Sequence, residues 1–327
     1  PRPNLFEFAT SELSQDAFVC WLLLWADPKH RAENKALHNV GITLLKSLFE
    51  RGGHRCPDQV NQVEVKKQYK NIDILAIVNG STPLLIEDKT HTKDHSGQLK
   101  RYRTAVAEEF KVSDFPAIYL KTGDQWDYSK IKAAGYGVYL RCDLLDVLQK
   151  AIKAETDSHI LLDYYEYLSG LHDAVYAFRS APLDKWDWSC WTGFFLELQR
   201  LLEDDAEWDY VPNPSGGFMG FWWHWRGNKY LQLEQDKLCF KIGVPEEEEQ
   251  SVQRNEWHEK LMSKQAVSGL SINKPARFGK GAWMTAAIMP GDYRKVDNNG
   301  CLDLPATVAG LREAEVFMDS VLAMEEE

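Results

Sequence analysis

The sequence lacks the marks of a disulfide scaffold, a membrane span or an ATP motor. Its six cysteines, Cys20, Cys56, Cys142, Cys190, Cys239 and Cys301, are scattered along the chain without a CxxC pair. That spacing argues against a disulfide framework and a structural zinc site, and predicts a reducing, cytoplasmic setting. No apolar run approaches the roughly 20 residues that cross a bilayer. The longest, FVCWLLLWA at 18–26, reads as a core helix. The N-terminus shows no basic n-region before a cleavable apolar segment, so no membrane partner and no secretion are expected. There is no GxxxxGK(S/T) loop, no fixed-period repeat, and no biased tract beyond two short glutamate runs.

What is present is ordinary globular composition over 327 residues, with 44% apolar and 27% charged side chains. This length suits two domains better than one. The net charge of −11 divides unevenly. Residues 1–150 hold 21 Lys+Arg against 19 Asp+Glu, a balance of +2, whereas residues 151–327 hold 17 against 30, a balance of −13. A nucleic-acid partner is therefore compatible with the first half, although no basic tail advertises one.

The pattern predicts a helix from an N-cap at Ser14 through QDAFVCWLLLWA, and a second over 34–51 that stops at Gly52-Gly53. Strand-like runs follow at NQVEVKK, NIDILAIV and PLLIEDK, then a helical period at SGQLKRYRTAVAEEF. FPAIYLK and GYGVYLR read as buried strands, with a helix from Asp143 to Lys153 and a tyrosine-rich helix beyond. This order describes an α/β core with a mixed sheet. Pro182 interrupts the pattern within 179–188 and marks a boundary, giving domains 1–178 and 179–327. The second domain reads as α+β, with strands at WDYVP, FMGFWWHW, KYLQLE, KLCFKIGV and AWMTAAIM, and helices near 251–264 and 304–324.

The (D/E)-x-K triplet occurs five times, at Asp27, Glu33, Glu64, Glu87 and Glu109, so context must choose among them. Those at 27–29, 33–35 and 109–111 lie in or beside helices, where i and i+2 do not share a face. Asp58 and Glu64 would sit about 20 Å apart on one strand, with no room for a turn between them. Glu64 is left as a contributor from a neighbouring strand. Glu87-Asp88-Lys89 alone ends a strongly apolar strand whose partner begins with an acid, Asp73. With Asn79-Gly80 in the turn, paired residue numbers should sum to about 160, so that Asp73 faces Glu87. Their Cβ atoms would then lie roughly 5 Å apart, with Lys89 on the same face. A sum of 161 would bring Asp88 to that face instead. Two converging carboxylates need a cation between them, and Mg²⁺ or Mn²⁺ suits hard oxygen ligands. The lysine beside them would position water or neutralise charge growing on a phosphate. On the following helix Gln98 and Tyr102 share a face, and Lys100, Arg101 and Arg103 make another surface basic, a presentation fit for a nucleic-acid strand.

Asp73, Glu87-x-Lys89 and Gln98-x-x-x-Tyr102 as a set resemble the PD-(D/E)XK nuclease superfamily, with the QxxxY helix of its RecB-like and lambda-exonuclease-like branches. Ile72 stands where the family name has Pro. The opening LFEFATSELSQDAFVCWLLLWADP is similar to the N-terminal helix region of a bacterial and phage group of that superfamily. There a glutamate before or on the first helix joins the metal site, and Glu12 is the match. The resemblance covers residues 4–150. It implies a restriction-endonuclease-like mixed sheet flanked by helices, and metal-dependent hydrolysis of nucleic-acid phosphodiesters, DNA favoured, in defence, repair or mobile-element biology. Glu12, Asp73 and Glu87 would bind Mg²⁺ or Mn²⁺, with Asp73, Glu87 and Lys89 catalytic. Gln98, Tyr102, Lys100 and Arg101 would serve the substrate. The alternative is an inactive nuclease-fold module that binds nucleic acid.

Other features carry less. His91 and His95 read as a polar helix-entry loop rather than as proton carriers. FMGFWWHW alternates, so Phe221, Trp223 and Trp225 should face one way and Trp222 and His224 the other. In so acidic a region they are expected to fill a core or a homo-oligomer interface rather than stack bases. Glu246–Glu249 reads as a solvated loop.

Overall fold

Ser11 caps the first helix. Its backbone is extended and its hydroxyl accepts from Ser14 N–H at 3.3 Å, so α1 runs Glu12–Leu24. The cap thus lies one turn before the expected Ser14, and it puts Glu12 at the positive end of the helix. This computed structural model describes residues 2–90, 92, 97–202, 206–213 and 216–323, with the backbone alone at 266–268.

The chain divides into two units, Pro1–Asp173 and Ala174–Glu327. In the first, α2 (Lys35–Arg51) follows α1, and Gly41 lets the two close up: a Cβ there would lie 2.6 Å from Ala26 N and 2.7 Å from Leu22 O. Then come β1 (Val63–Tyr69), β2 (Ile72–Val78), β3 (Thr82–Lys89), α3 (Gln98–Phe110), β4 (Ala117–Lys121) and α4 (Ser129–Ala133). β5 (Gly137–Leu140) passes directly into α5 (Arg141–Lys153), and α6 (His159–Tyr176) follows. α5 therefore begins two residues ahead of Asp143, whose carboxylate accepts from Leu140 N–H at 2.8 Å.

The sheet order is β1-β2-β3-β4-β5, antiparallel across the first three strands and parallel from β3 to β5. This is the mixed sheet flanked by helices, consistent with a restriction-endonuclease-like fold. Strand alternation gives the sheet two apolar faces. Ile74, Ala76 and Ile86 pack with residues of α1, α2 and α5, while Leu75, Ile77 and Leu85 pack with Leu99 and Val106 of α3.

The second unit contains α7 (Trp188–Leu201), β6 (Glu207–Val211), β7 (Phe218–Arg226), β8 (Lys229–Glu234), β9 (Lys237–Gly243), α8 (Glu247–Ser268), β10 (Trp283–Ile288) and α9 (Leu304–Leu322). Its antiparallel sheet runs β10-β9-β8-β7-β6. Phe221 on Phe195 joins β7 to α7, and Phe240 on Phe317 joins β9 to α9.

Two expectations are corrected here. Glu247, Glu248 and Glu249 form the first turn of α8, where acid is favourable, rather than a loop. Trp225 leaves the face of Phe221 and Trp223, because the β7–β8 register slips between Trp223 and Arg226 and His224 sits at φ 56°. One extra residue reverses the alternation. His224 then reaches Asp319 at 2.9 Å, and Trp225 stacks on Tyr230 at 4.2 Å.

Trp223 is fully buried and donates from Nε1 to Glu315 Oε1 at 2.7 Å. Trp223→Phe should therefore lower stability by about 1–3 kcal/mol, because Glu315 loses a buried donor. Urea unfolding with an unchanged midpoint would rule that bond out as a support of the second unit.

Candidate active site

The β2–β3 turn sets the register of the site. Asn79 and Gly80 both adopt positive φ, 54° and 74°, and Ser81 N–H closes the turn on Val78 O at 3.3 Å. Asn79 Oδ1 also accepts from Asn61 N–H at 2.7 Å, tying the chain before β1 to the hairpin. The paired residues run from Val78↔Thr82 to Ile74↔Ile86, each summing to 160. Asp73 and Glu87 are the next pair along that line, and alternation sends them with Lys89 to the α3 side of the sheet. Asp88 turns to the α1 side.

Lys89 is the hub. Its Nζ donates to Glu87 Oε1 at 2.5 Å, to Asp88 O at 2.9 Å and to Asp73 Oδ2 at 3.3 Å. Asp73 Oδ2 also accepts from Asp88 N–H at 3.0 Å, and Oδ1 from Gln68 Nε2 at 3.1 Å. Gln98, the first residue of α3, donates to Glu87 Oε1 at 2.8 Å and to Tyr102 OH at 3.1 Å. Asp73, Glu87, Lys89, Gln98 and Tyr102 thus form one hydrogen-bonded group.

Electrostatics follow from burial. Glu87 is fully buried; desolvation, with the nearby Asp73 charge, pushes its carboxyl up to about 7 despite Lys89. Burial works against the Lys89 ammonium, but Glu87 and Asp73 outweigh it and hold its pKa above the usual lysine value. Burial also dehydrates Glu12, whose Oε1 accepts from Thr92 Oγ1 at 2.6 Å and Thr90 N–H at 3.0 Å. Those bonds and the Lys89 charge win, so Glu12 titrates below its ordinary range.

Among the described residues, no three His, Cys, Asp or Glu side chains converge as a ready cage. The donor chemistry nevertheless fits a hard cation. Asp73 and Glu87 already gather around one positive charge, and Glu87 Oε2 is buried with no hydrogen-bond partner among the described residues. Mg²⁺ commonly uses one or two carboxylates and keeps its remaining positions for water and phosphate. Glu12 stands at the Thr90–Thr92 end, beside this pair rather than in it.

Lys100 and Arg101 are exposed on α3. Arg103 is instead used inside the unit: it donates to Gly135 O at 2.7 Å and lies over Phe115 at 4.9 Å. Glu64 pairs with Lys66 at 3.4 Å and is exposed, away from the group. His91 and His95 lie outside the described residues.

A model of the PD-(D/E)XK nuclease superfamily matches residues 3–179. The chain belongs to this superfamily. No curated protein and no solved structure matches it. Within this superfamily member, the sequence reading missed the support behind the strand. Asp88 Oδ1 accepts from Gln15 Nε2 at 2.5 Å, and Gln15 Oε1 accepts from Thr122 Oγ1 at 2.7 Å and Tyr164 OH at 3.1 Å. Burial raises both Asp88 and Asp16 above ordinary carboxyl values, reinforced at Asp88 by the Asp16 charge and at Asp16 by the Asp73 charge. Lys121, paired beside Lys89 on β4, is buried and donates to Thr92 O at 2.6 Å. A signal was present for the first two: Gln15 and Asp16 stand three or four residues before Phe18, Val19 and Cys20, on a helix face that should be apolar.

Proposed function

We propose that this protein is a divalent-metal-dependent nuclease that hydrolyses phosphodiester bonds, DNA favoured, in genome defence, repair or mobile-element maintenance. The observation that carries this reading is the single cluster of Asp73, Glu87 and Lys89, buttressed by Gln98 and Tyr102, on the α3 side of the sheet. The Gln98–Tyr102 bond supports placement in a QxxxY branch. Asp73 and Glu87 would hold Mg²⁺ or Mn²⁺, with Glu12 as a further ligand from α1. The cation would supply positive charge against the phosphate oxygens as negative charge develops there.

The remaining work falls to side chains. Lys89 keeps its proton throughout the neutral range, so it acts as a fixed cation and donor rather than as a base. Gln98 holds the orientation of Glu87. Lys100 and Arg101 would contact the backbone of the strand, which positions without reading sequence. A cytoplasmic site of action and assembly through the second unit complete the reading.

Labelled DNA and RNA, single- and double-stranded, linear and circular, incubated with Mg²⁺ or Mn²⁺ test it. Metal-dependent cleavage of DNA is expected, with Tyr102→Ala slower at subsaturating substrate and unchanged in metal binding. Binding without cleavage of any substrate would replace the nuclease with an inactive nucleic-acid-binding module.

A further inference from the structure

The first unit holds a cavity of about 750 Å³, lined by Leu99, Lys100, Gln125, Trp126, Lys130 and Ile131 among others. Its size falls within the roughly 300–1,000 Å³ of small-ligand sites. Gln125 is 8% exposed; its Nε2 donates to Asp127 O at 2.6 Å, while its Oε1 has no hydrogen-bond partner among the described residues. Turning the amide over would set two oxygens against each other, because Asp127 O only accepts. Gln125, a residue of the cavity lining, therefore keeps a buried acceptor that lacks a donor among the described residues, a state folded proteins rarely leave unanswered.

Three further features share this cavity. Trp126 is half-buried and supplies an aromatic surface, and Lys100 and Lys130 are exposed. Asp127 would oppose an anion, but its carboxylate is engaged by Ser129 N–H at 2.8 Å and Ser129 Oγ at 2.5 Å. Gly97 and Leu99 also line the cavity, and between them Gln98 reaches Glu87. The same turn of α3 thus contributes both to this cavity and to the hydrogen bonds of Glu87.

We propose that the cavity takes one unpaired nucleotide of the substrate strand beside the phosphate being cleaved. A base N–H donates to Gln125 Oε1, the ring lies against Trp126, and adjoining phosphates sit by Lys100 and Lys130. An aromatic surface with nearby cations is the recurrent device for holding single strands. This inference rests on the nuclease reading and narrows its substrate to strands that are unpaired next to the cut.

The test uses the full chain in EDTA, where the metal-dependent reaction is stopped, with fluorescence anisotropy of a labelled single-stranded DNA decamer, the same decamer with one abasic position, and a blunt hairpin. The wild type should bind the decamer more tightly than the hairpin. Trp126→Ala should weaken decamer binding at least about fivefold, the low end of what stacking one base supplies, with hairpin binding unchanged and Trp126→Phe close to wild type. Gln125→Leu should shrink the penalty of the abasic position, leaving the part that comes from stacking on Trp126. Lys130→Glu, at an exposed position where folding is not at issue, should weaken the decamer and flatten its salt dependence. Equal affinity for decamer and hairpin, wild-type decamer binding by both Trp126→Ala and Lys130→Glu, or binding of dCMP alone without any decamer would each overturn the proposal. Cleavage by the wild type in Mg²⁺, measured in parallel, would leave the nuclease reading standing in every one of those cases.

Discussion

Lys89→Ala should bind nucleic acid like the wild type and cleave it about 10²–10³-fold more slowly under single-turnover conditions. The expectation follows from where the ammonium sits. It is 7% exposed and bonded to two carboxylates and a main-chain carbonyl, so it contributes little surface for holding a long strand. Its charge lies where a phosphate drawn to a cation held by Asp73 and Glu87 would gain negative charge in the transition state. Its loss also removes the counter-charge that opposes protonation of Glu87, whose pKa of about 7 should rise further. Part of the defect at pH 7 is then a neutral Glu87, and assays above pH 8 separate that part from the missing cation. Metal affinity at the higher pH should hold or increase, because a neighbouring positive charge has gone. A wild-type single-turnover rate in Lys89→Ala would remove this lysine from the chemistry.

The geometry of the candidate site was legible where local rules decide it. Asn79-Gly80 can take positive φ at both positions, which fixes the hairpin register and with it the face shared by Asp73 and Glu87. Gln98 and Tyr102 needed only the helical period. Illegible parts depend on contacts made far along the chain. Nothing near Asp88 announces that Gln15, 73 residues earlier, will bind it, or that Tyr164 will bind Gln15 in turn. The reversal at Trp225 rests on one backbone angle at His224; histidine tolerates positive φ better than most residues, but its presence in a strand pattern does not announce one. Glu246–Glu249 misled for another reason: an acidic run suits a solvated loop and a helix N-terminus equally, and only the following 22-residue helix decides.

Mn²⁺ should raise the melting temperature of the wild type, and Asp73→Asn with Glu87→Gln should abolish that shift. The amides keep shape and acceptor oxygens for Lys89 while removing the negative charge a hard cation requires. The pH dependence is the sharper half of the prediction. Glu87 binds its proton more tightly folded than unfolded, with a pKa raised from 4.5 to about 7. Between those values the folded state carries more protons, so the contribution of this group to stability without metal is full below pH 4.5 and fades as pH rises through 7. Metal binding has the opposite slope, since the cation must displace that proton. Below pH 7 apparent affinity should climb by up to about tenfold per pH unit, and above it the curve should flatten. Thermal shifts measured from pH 5.5 to 8.5 would show the metal-free melting temperature drifting down from this group while the Mn²⁺ increment grows. A Mn²⁺ increment independent of pH, or one that survives in Asp73→Asn with Glu87→Gln, would place the cation away from this hairpin.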